Sequence, residues 1–141
     1  MLRSLVGSEM CIRDRHHGMG LLAWSALGRG VLGGRYRHGT PKDSRGGSDR
    51  LSWFVQPYLT RKSNAVVEAI VKAADGLGAT VPQIALAWVR DAPVVASALV
   101  GPRTTSQLEE LLRADEVSLP KEITSALDDI TGGPNLAREE A

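Results

Sequence analysis

Two runs of apolar residues stand out along the chain, LLAWSAL at 21–27 and VVASALV at 94–100. Each run has the length of a β-strand, and both are almost wholly apolar instead of alternating between apolar and polar residues. Such runs are typical of strands covered on both faces, as in a parallel sheet wrapped by helices. The pattern therefore predicts two buried parallel strands.

Apolar residues at helical spacing predict four helices, over about 63–77, 80–91, 104 onward and 120–130. The second and third begin with TVPQ and TTSQ, and both sequences fit a capping box. Residues 35–62 are rich in Arg, Gly, Ser, Lys and Asp, and they predict one long loop. The predicted order is strand, long loop, two helices, strand, two helices.

The chain of 141 residues is long enough for one ordinary domain. Two parallel strands are too few for a sheet of this class, which usually has about five or six. The sequence therefore describes part of a larger α/β architecture.

Composition excludes several classes of partner. The net charge of +1 gives no reason to expect nucleic acid as a partner. No apolar run approaches the roughly 20 residues of a membrane span. The single Cys11 cannot form an internal disulfide, and the three histidines lack metal-ligand spacing. We expect a cytoplasmic protein without a metal, a membrane partner or a nucleic-acid partner.

The first fifteen residues, MLRSLVGSEMCIRDR, fit neither a signal peptide nor an amphipathic helix. They resemble a peptide that arises when sequencing-adapter bases are translated with a reading frame. We predict a non-native, disordered leader at 1–15, with the natural protein beginning further upstream. The alternative is a disordered native tail.

Gly28 to Gly33 fit the G-x-G-x-x-G pattern of a dinucleotide-binding Rossmann turn. That fold needs a helix opening at the glycines and an acidic residue at the end of a second strand, about twenty positions on. Here the glycines lead into a loop, and Asp49 follows no strand. The context therefore argues against a Rossmann site.

The segment GMGLLAWSALGRGVLGGRYR (18–37) resembles the seventh strand and following loop of the aldo-keto reductase superfamily. The segments VPQIALAWV (81–89), VVASALVGPRTTSQLEELLRADEVSLP (94–120) and EITSALDDI (122–130) resemble its eighth strand and helices. The resemblance implies an α/β fold, in which residues 16–141 are the C-terminal part of a (β/α)8 TIM barrel. It also implies NADPH as cofactor and reduction of aldehydes or ketones to alcohols.

The resemblance assigns cofactor contacts but no catalytic residue, because the catalytic Asp, Tyr, Lys and His of the family lie on earlier strands. Trp24 would stack on the nicotinamide, and the next five residues would line the pyrophosphate and ribose: Ser25, Ala26, Leu27, Gly28 and Arg29. Arg35 would contact the cofactor phosphates. Gly101, Arg103, Gln107 and Glu110 would contact phosphate and adenine, with Arg103 on the 2′-phosphate. Two positions depart from the family: Ala26 replaces a usual proline, and Leu111 replaces a usual asparagine.

Physical chemistry supports an anion near Arg103. A helix N-terminus carries unpaired N–H groups and about half a positive charge, so a cation beside it is mildly unfavourable. An anion between Arg103 and those N–H groups would remove the conflict.

Simpler structural roles stay open for several of these residues. Trp24 could be a core residue, Gln107 could only cap its helix with Thr104, and Glu110 could be a surface residue. The aromatic residues Trp53, Phe54 and Tyr58 could close over a ligand or only cover the barrel rim.

Three functions are compatible with the sequence. The first is an NADPH-dependent aldo-keto reductase acting on a small carbonyl substrate, of which this chain is a cofactor-binding piece. The second is a non-catalytic NADPH-binding barrel protein, such as a sensor or an accessory like a channel β-subunit. The third is a fragment without activity and with little folded stability alone.

Overall fold

The computed structural model describes residues 16–131. They contain two strands, β1 (Leu21–Ala23) and β2 (Val95–Ala98), and five α-helices: α1 (Ser52–Val55), α2 (Arg61–Leu77), α3 (Val81–Arg90), α4 (Thr105–Leu112) and α5 (Lys121–Thr131). Three short 3-10 segments lie at Gly28–Gly30, Gln56–Tyr58 and Arg113–Glu116. The predicted leader at 1–15 lies outside the described residues and stays a prediction.

The two strands are direct neighbours and run parallel, with Leu21 opposite Val95 and Ala23 opposite Ala98. Backbone hydrogen bonds join the pair at both ends, from Leu21 N to Val94 O at 2.7 Å and from Leu99 N to Ala23 O at 2.9 Å. The predicted parallel strands are confirmed, and their carboxyl ends lie at one edge. Both are shorter than predicted, and β1 ends at Ala23, two residues before Ser25, whose φ of 56° is not a strand conformation.

The strands are covered on one face only by the described residues, which corrects the prediction of burial on both faces. Side chains alternate between the faces of a strand. Ala23 is accordingly buried, whereas its neighbours Leu22 and Trp24 are 59% and 52% exposed. The described helices cover the side of Ala23, and none of them covers the other side.

Helix α3 lies at the centre of the core and contacts β2, α2 and α4. Every residue from Gln83 to Val89 is buried, and Ile84 is completely so. A helix that is apolar around its whole circumference is suited to such a position. Trp88 also joins α3 to α5, because its indole N–H donates to Asp128 Oδ1 at 2.8 Å.

The helix ends follow the sequence signals, with one correction. Thr60 Oγ1 accepts a hydrogen bond from Ser63 N at 3.1 Å, so α2 begins at Arg61 and not at the predicted residue 63. Gly78 ends α2 in the left-handed conformation, with φ of 64°. The predicted loop 35–62 is wrong over its last part, which contains α1 and a 3-10 turn anchored by the fully buried Val55.

The cap of α4 gives a testable prediction for stability. Thr104 Oγ1 accepts a hydrogen bond from Gln107 N at 3.2 Å, which satisfies an N–H that the first helical turn leaves unpaired. We expect Thr104→Ala to lower the free energy of unfolding by about 1 kcal/mol. The control is Thr105→Ala, which changes the neighbouring exposed threonine inside the helix and should cost less than half as much. Urea unfolding followed by circular dichroism measures both variants, and equal losses would contradict the capping role.

Candidate functional site

A cleft of about 570 Å³ lies at the carboxyl ends of β1 and β2. Its walls come from the segments that follow each strand and from the first turns of α4. The structure brings ten of the eleven predicted cofactor contacts into the lining of this cleft: Trp24, Ser25, Ala26, Leu27, Arg29, Arg35, Gly101, Arg103, Gln107 and Glu110. Residues 77 or more positions apart in the sequence, such as Trp24 and Gly101, thus share one concave surface.

Gly28 is the predicted contact that the structure does not bring to the cleft. Its N–H is used inside the turn, where it donates to Ser25 O at 2.7 Å. A methyl group added at Gly28 would meet Leu32 Cγ at 3.4 Å, so this side of the glycine faces the core. Its φ of 55° lies in the left-handed region, which favours glycine.

Trp24 lies on the wall of the cleft with half of its surface exposed, so the structure contradicts its interpretation as a core residue. Leu99 and Val100, which follow β2, line the same cleft and are 49% and 41% exposed. A large aromatic face and aliphatic side chains form the kind of surface against which a planar heterocycle packs.

Arg29 is held by aromatic rings, which the sequence did not predict. Its guanidinium carbon lies 3.3 Å from the centroid of the Phe54 ring and 4.5 Å from that of Tyr58, and its Nη1 donates to Phe54 O. Such cation–π contacts stabilise a desolvated cation. The Nε of Arg29 is buried and has no hydrogen-bond partner in the described part of the chain.

The structure places Phe54 and Trp53 differently with respect to the cleft. Phe54 lines the cleft, whereas Trp53 does not and is 69% exposed. Phe54 therefore belongs to the wall, and its stacking on Arg29 holds α1 against the turn that follows β1.

Arg35 follows β1 and Arg103 follows β2 in the sequence, and both contact Asp43. Arg35 forms an ion pair with the Asp43 carboxylate, and Arg103 Nη2 donates to the backbone oxygen of Asp43 at 3.2 Å. The loop that carries Asp43 is thereby joined to the segment before α4.

Gln107 acts in the cap of α4 and also lines the cleft. Its N–H donates to Thr104, and its Oε1 accepts a hydrogen bond from Arg103 N at 2.9 Å. The side chain thus holds the backbone of Arg103 in place. Gln83, which is buried in α3, donates to the backbone oxygen of Glu110 at 3.0 Å and fixes α4 against the core.

Several wall residues were missed by sequence reasoning, among them Tyr36, Ser44 and Arg45. The buried Tyr36 accepts a hydrogen bond from Gly46 N at 3.1 Å and so closes the loop on itself. These residues lie in a polar, glycine-rich loop without periodicity. No sequence signal available to us would have found them.

Charge in the cleft is predominantly positive. Four arginines and one glutamate are the charged residues of its described lining. Farther along the loop, Arg37 forms a two-point ion pair with Glu68 of α2, at 2.7 and 2.8 Å. The hydrogen bond from Arg37 holds the pKa of the Glu68 carboxyl below its usual value. The arginine-rich cleft, with the exposed Trp24 on its wall, is suited to a ligand that combines an aromatic ring with several phosphates.

Two further features of residues 16–131 concern membranes and metals. None of the described helices is long and apolar enough to cross a membrane. Within the same residues, no group of three or more His, Cys, Asp or Glu side chains is placed to hold a metal ion.

Comparison with known proteins identifies the class. The sequence model of the aldo/keto reductase family matches residues 1–131, a span that starts at the first residue. The chain is 35% identical to an uncharacterized oxidoreductase, YrpG, of Bacillus subtilis (strain 168), over all 141 residues and 41% of that protein. It is also 35% identical, over 116 residues, to a probable voltage-gated potassium channel subunit beta of Arabidopsis thaliana. That match covers 82% of the chain and 35% of the plant protein.

The chain thus spans about two fifths or less of the length of these relatives. The family model covers nearly the whole chain, including both strands and the residues that line the cleft. This chain belongs to the aldo/keto reductase family.

Proposed function

We propose that the cleft binds NADPH as part of an oxidoreductase that reduces aldehydes or ketones. The observation that carries the proposal is the joining of the two strand ends into one arginine-rich cleft with an exposed tryptophan on its wall. Family membership and the oxidoreductase relative support the same reaction class. A (β/α)8 barrel and a cytoplasmic location are part of this proposal.

The cleft residues fit the parts of the cofactor. Trp24 would face the nicotinamide, and the turn from Ser25 to Arg29 would accommodate the ribose and pyrophosphate. Arg29 and Arg35 both line this part of the cleft and would place two positive charges near the phosphates. When bound, NADPH would supply the hydride for carbonyl reduction.

The 2′-phosphate would lie between Arg103 and the first turn of α4. This position combines a guanidinium with the N-terminus of an eight-residue helix. Leu111, which lines the cleft, can form no hydrogen bond with adenine and offers only apolar contact. We expect adenine to be held by packing more than by hydrogen bonds.

A non-catalytic NADPH-binding protein is the second candidate, because one relative is named as a probable channel subunit.

None of the motifs quoted above supplies the catalytic Asp, Tyr, Lys and His of the family. We therefore propose that this chain binds the cofactor without turning it over.

Thermal unfolding of the 141-residue chain with and without NADPH tests the proposed function. A ligand that binds only the folded state stabilises it by about 2.7 kcal/mol when the ligand concentration is 100 times the Kd. This stabilisation raises the midpoint temperature of unfolding. We expect NADPH to raise the midpoint and the absorbance of NADPH to stay constant when an aldehyde is added. Absence of any shift would contradict cofactor binding. Loss of NADPH absorbance with the aldehyde would contradict the absence of turnover.

A further inference from the structure

Asp43 contacts both of the arginines that bring positive charge from the two strand ends. Its carboxylate pairs with Arg35, and its backbone oxygen accepts from Arg103 at 3.2 Å. A single residue of the loop therefore occupies N–H groups that the proposed function gives to ligand phosphates. The N–H groups that bind Asp43 cannot bind a phosphate at the same time.

The contact is weak enough to be exchanged. The side chain of Asp43 is 76% exposed and that of Arg35 is 39% exposed, so water and salt screen the pair. Exposed ion pairs are typically worth between zero and about 1 kcal/mol. A phosphate offers more charge and more acceptor oxygens than one carboxylate.

We infer that Asp43 is a specificity-determining residue, whose carboxylate competes with the phosphates of the ligand for Arg35. The inference rests on the proposed function. A ligand rich in phosphate displaces Asp43, whereas an uncharged ligand leaves it in place. Asp43 thus lowers the affinity of the cleft for every anion and disfavours weakly charged ones.

Displacement of Asp43 also affects the loop that carries it. Arg35 and the loop residues Ser44 and Arg45 all line the cleft, with Asp43 beside them. Release of Asp43 would free this part of the loop from the segment before α4. Ligand binding is therefore expected to loosen the contact between the two strand-end segments at Asp43.

The variant Asp43→Asn tests the inference on the 141-residue chain, by titration calorimetry with NADPH and with inorganic pyrophosphate. Removing a competitor worth at most about 1 kcal/mol should lower the Kd by about two- to fivefold. The matched control is Asp49→Asn, which removes the same charge from an exposed residue of the same loop outside the cleft lining. We expect a smaller change for this control.

A second comparison separates direct competition from a general change of charge. In an Arg35→Ala background, Asp43→Asn should give no further gain, because its partner is absent. Weaker binding by Asp43→Asn would overturn the inference, since Asp43 would then hold the ligand in place. Equal gains from Asp43→Asn and Asp49→Asn would overturn it as well.

The two probes distinguish this inference from the proposed function. If pyrophosphate binds and Asp43→Asn tightens it while NADPH does not bind, the inference stands and the proposed function fails. If NADPH binds with the same Kd in both proteins, the proposed function stands and the inference fails. If neither probe binds to either protein, both fail.

Discussion

Arg103→Ala should weaken NADPH binding by about 10- to 100-fold while changing the Kd for NADH by about twofold or less. A hydrogen bond to a charged group contributes roughly 1.5–3 kcal/mol, and about 1.4 kcal/mol corresponds to a tenfold change in Kd. NADH lacks the 2′-phosphate, so only a general charge effect remains for it. Titration calorimetry with both nucleotides gives the ratio directly.

The control for this prediction is Arg113→Ala. Arg113 is exposed and lies outside the cleft lining, in the 3-10 segment that follows α4. It removes the same charge, so its effect measures the long-range contribution alone. Equal losses for NADPH and NADH with Arg103→Ala would contradict the 2′-phosphate role of Arg103.

Ile84→Ala should lower the free energy of unfolding by about 2–5 kcal/mol, because it opens a cavity in the middle of α3. Ile84 is completely buried in the helix that contacts β2, α2 and α4. Folded domains are stable by only about 5–15 kcal/mol. A chain whose sheet is open on one face buries less apolar surface, so its free energy of unfolding is lower. The variant is therefore expected to show no cooperative unfolding transition at 37 °C.

The control is Ile130→Ala, on α5. Ile130 is 40% exposed, so its truncation leaves no closed cavity and should cost about 1 kcal/mol or less. Urea unfolding at low temperature, where the wild-type chain is most stable, measures both variants. Similar losses would contradict the central position of α3 in the core.

The parts of the fold that periodicity determines were predictable from the sequence. Helix α2 ends at Gly78, and the second predicted helix lies at α3, because apolar spacing and turn residues act within a few positions of each other. The neighbouring parallel strands were also predicted, and the family resemblance is confirmed by the family match. Helix α1 could not be predicted, since four residues are too short to show a helical period.

Long-range contacts explain what the sequence did not predict in the site. The stacking of Arg29 between Phe54 and Tyr58 joins residues 25 or more positions apart, and no local pattern marks it. In the sequence, Asp43 is only one acidic residue in a basic loop, although in the structure it contacts two arginines of the cleft. The family resemblance assigns Gly28 to the ligand, whereas its φ of 55° and its place outside the cleft lining depend on the three-dimensional turn.

The most direct test of a shared cofactor cleft is an NADPH titration of the isotope-labelled chain, followed by amide chemical shifts in nuclear magnetic resonance spectra. We expect shifts to move together after β1, at Ser25 to Arg29, and after β2, at Gly101 to Gln107. The amides of α5, on the far side of the core, should stay unchanged. Shifts confined to one of the two segments, or no saturable shifts at all, would contradict a single cleft that binds NADPH.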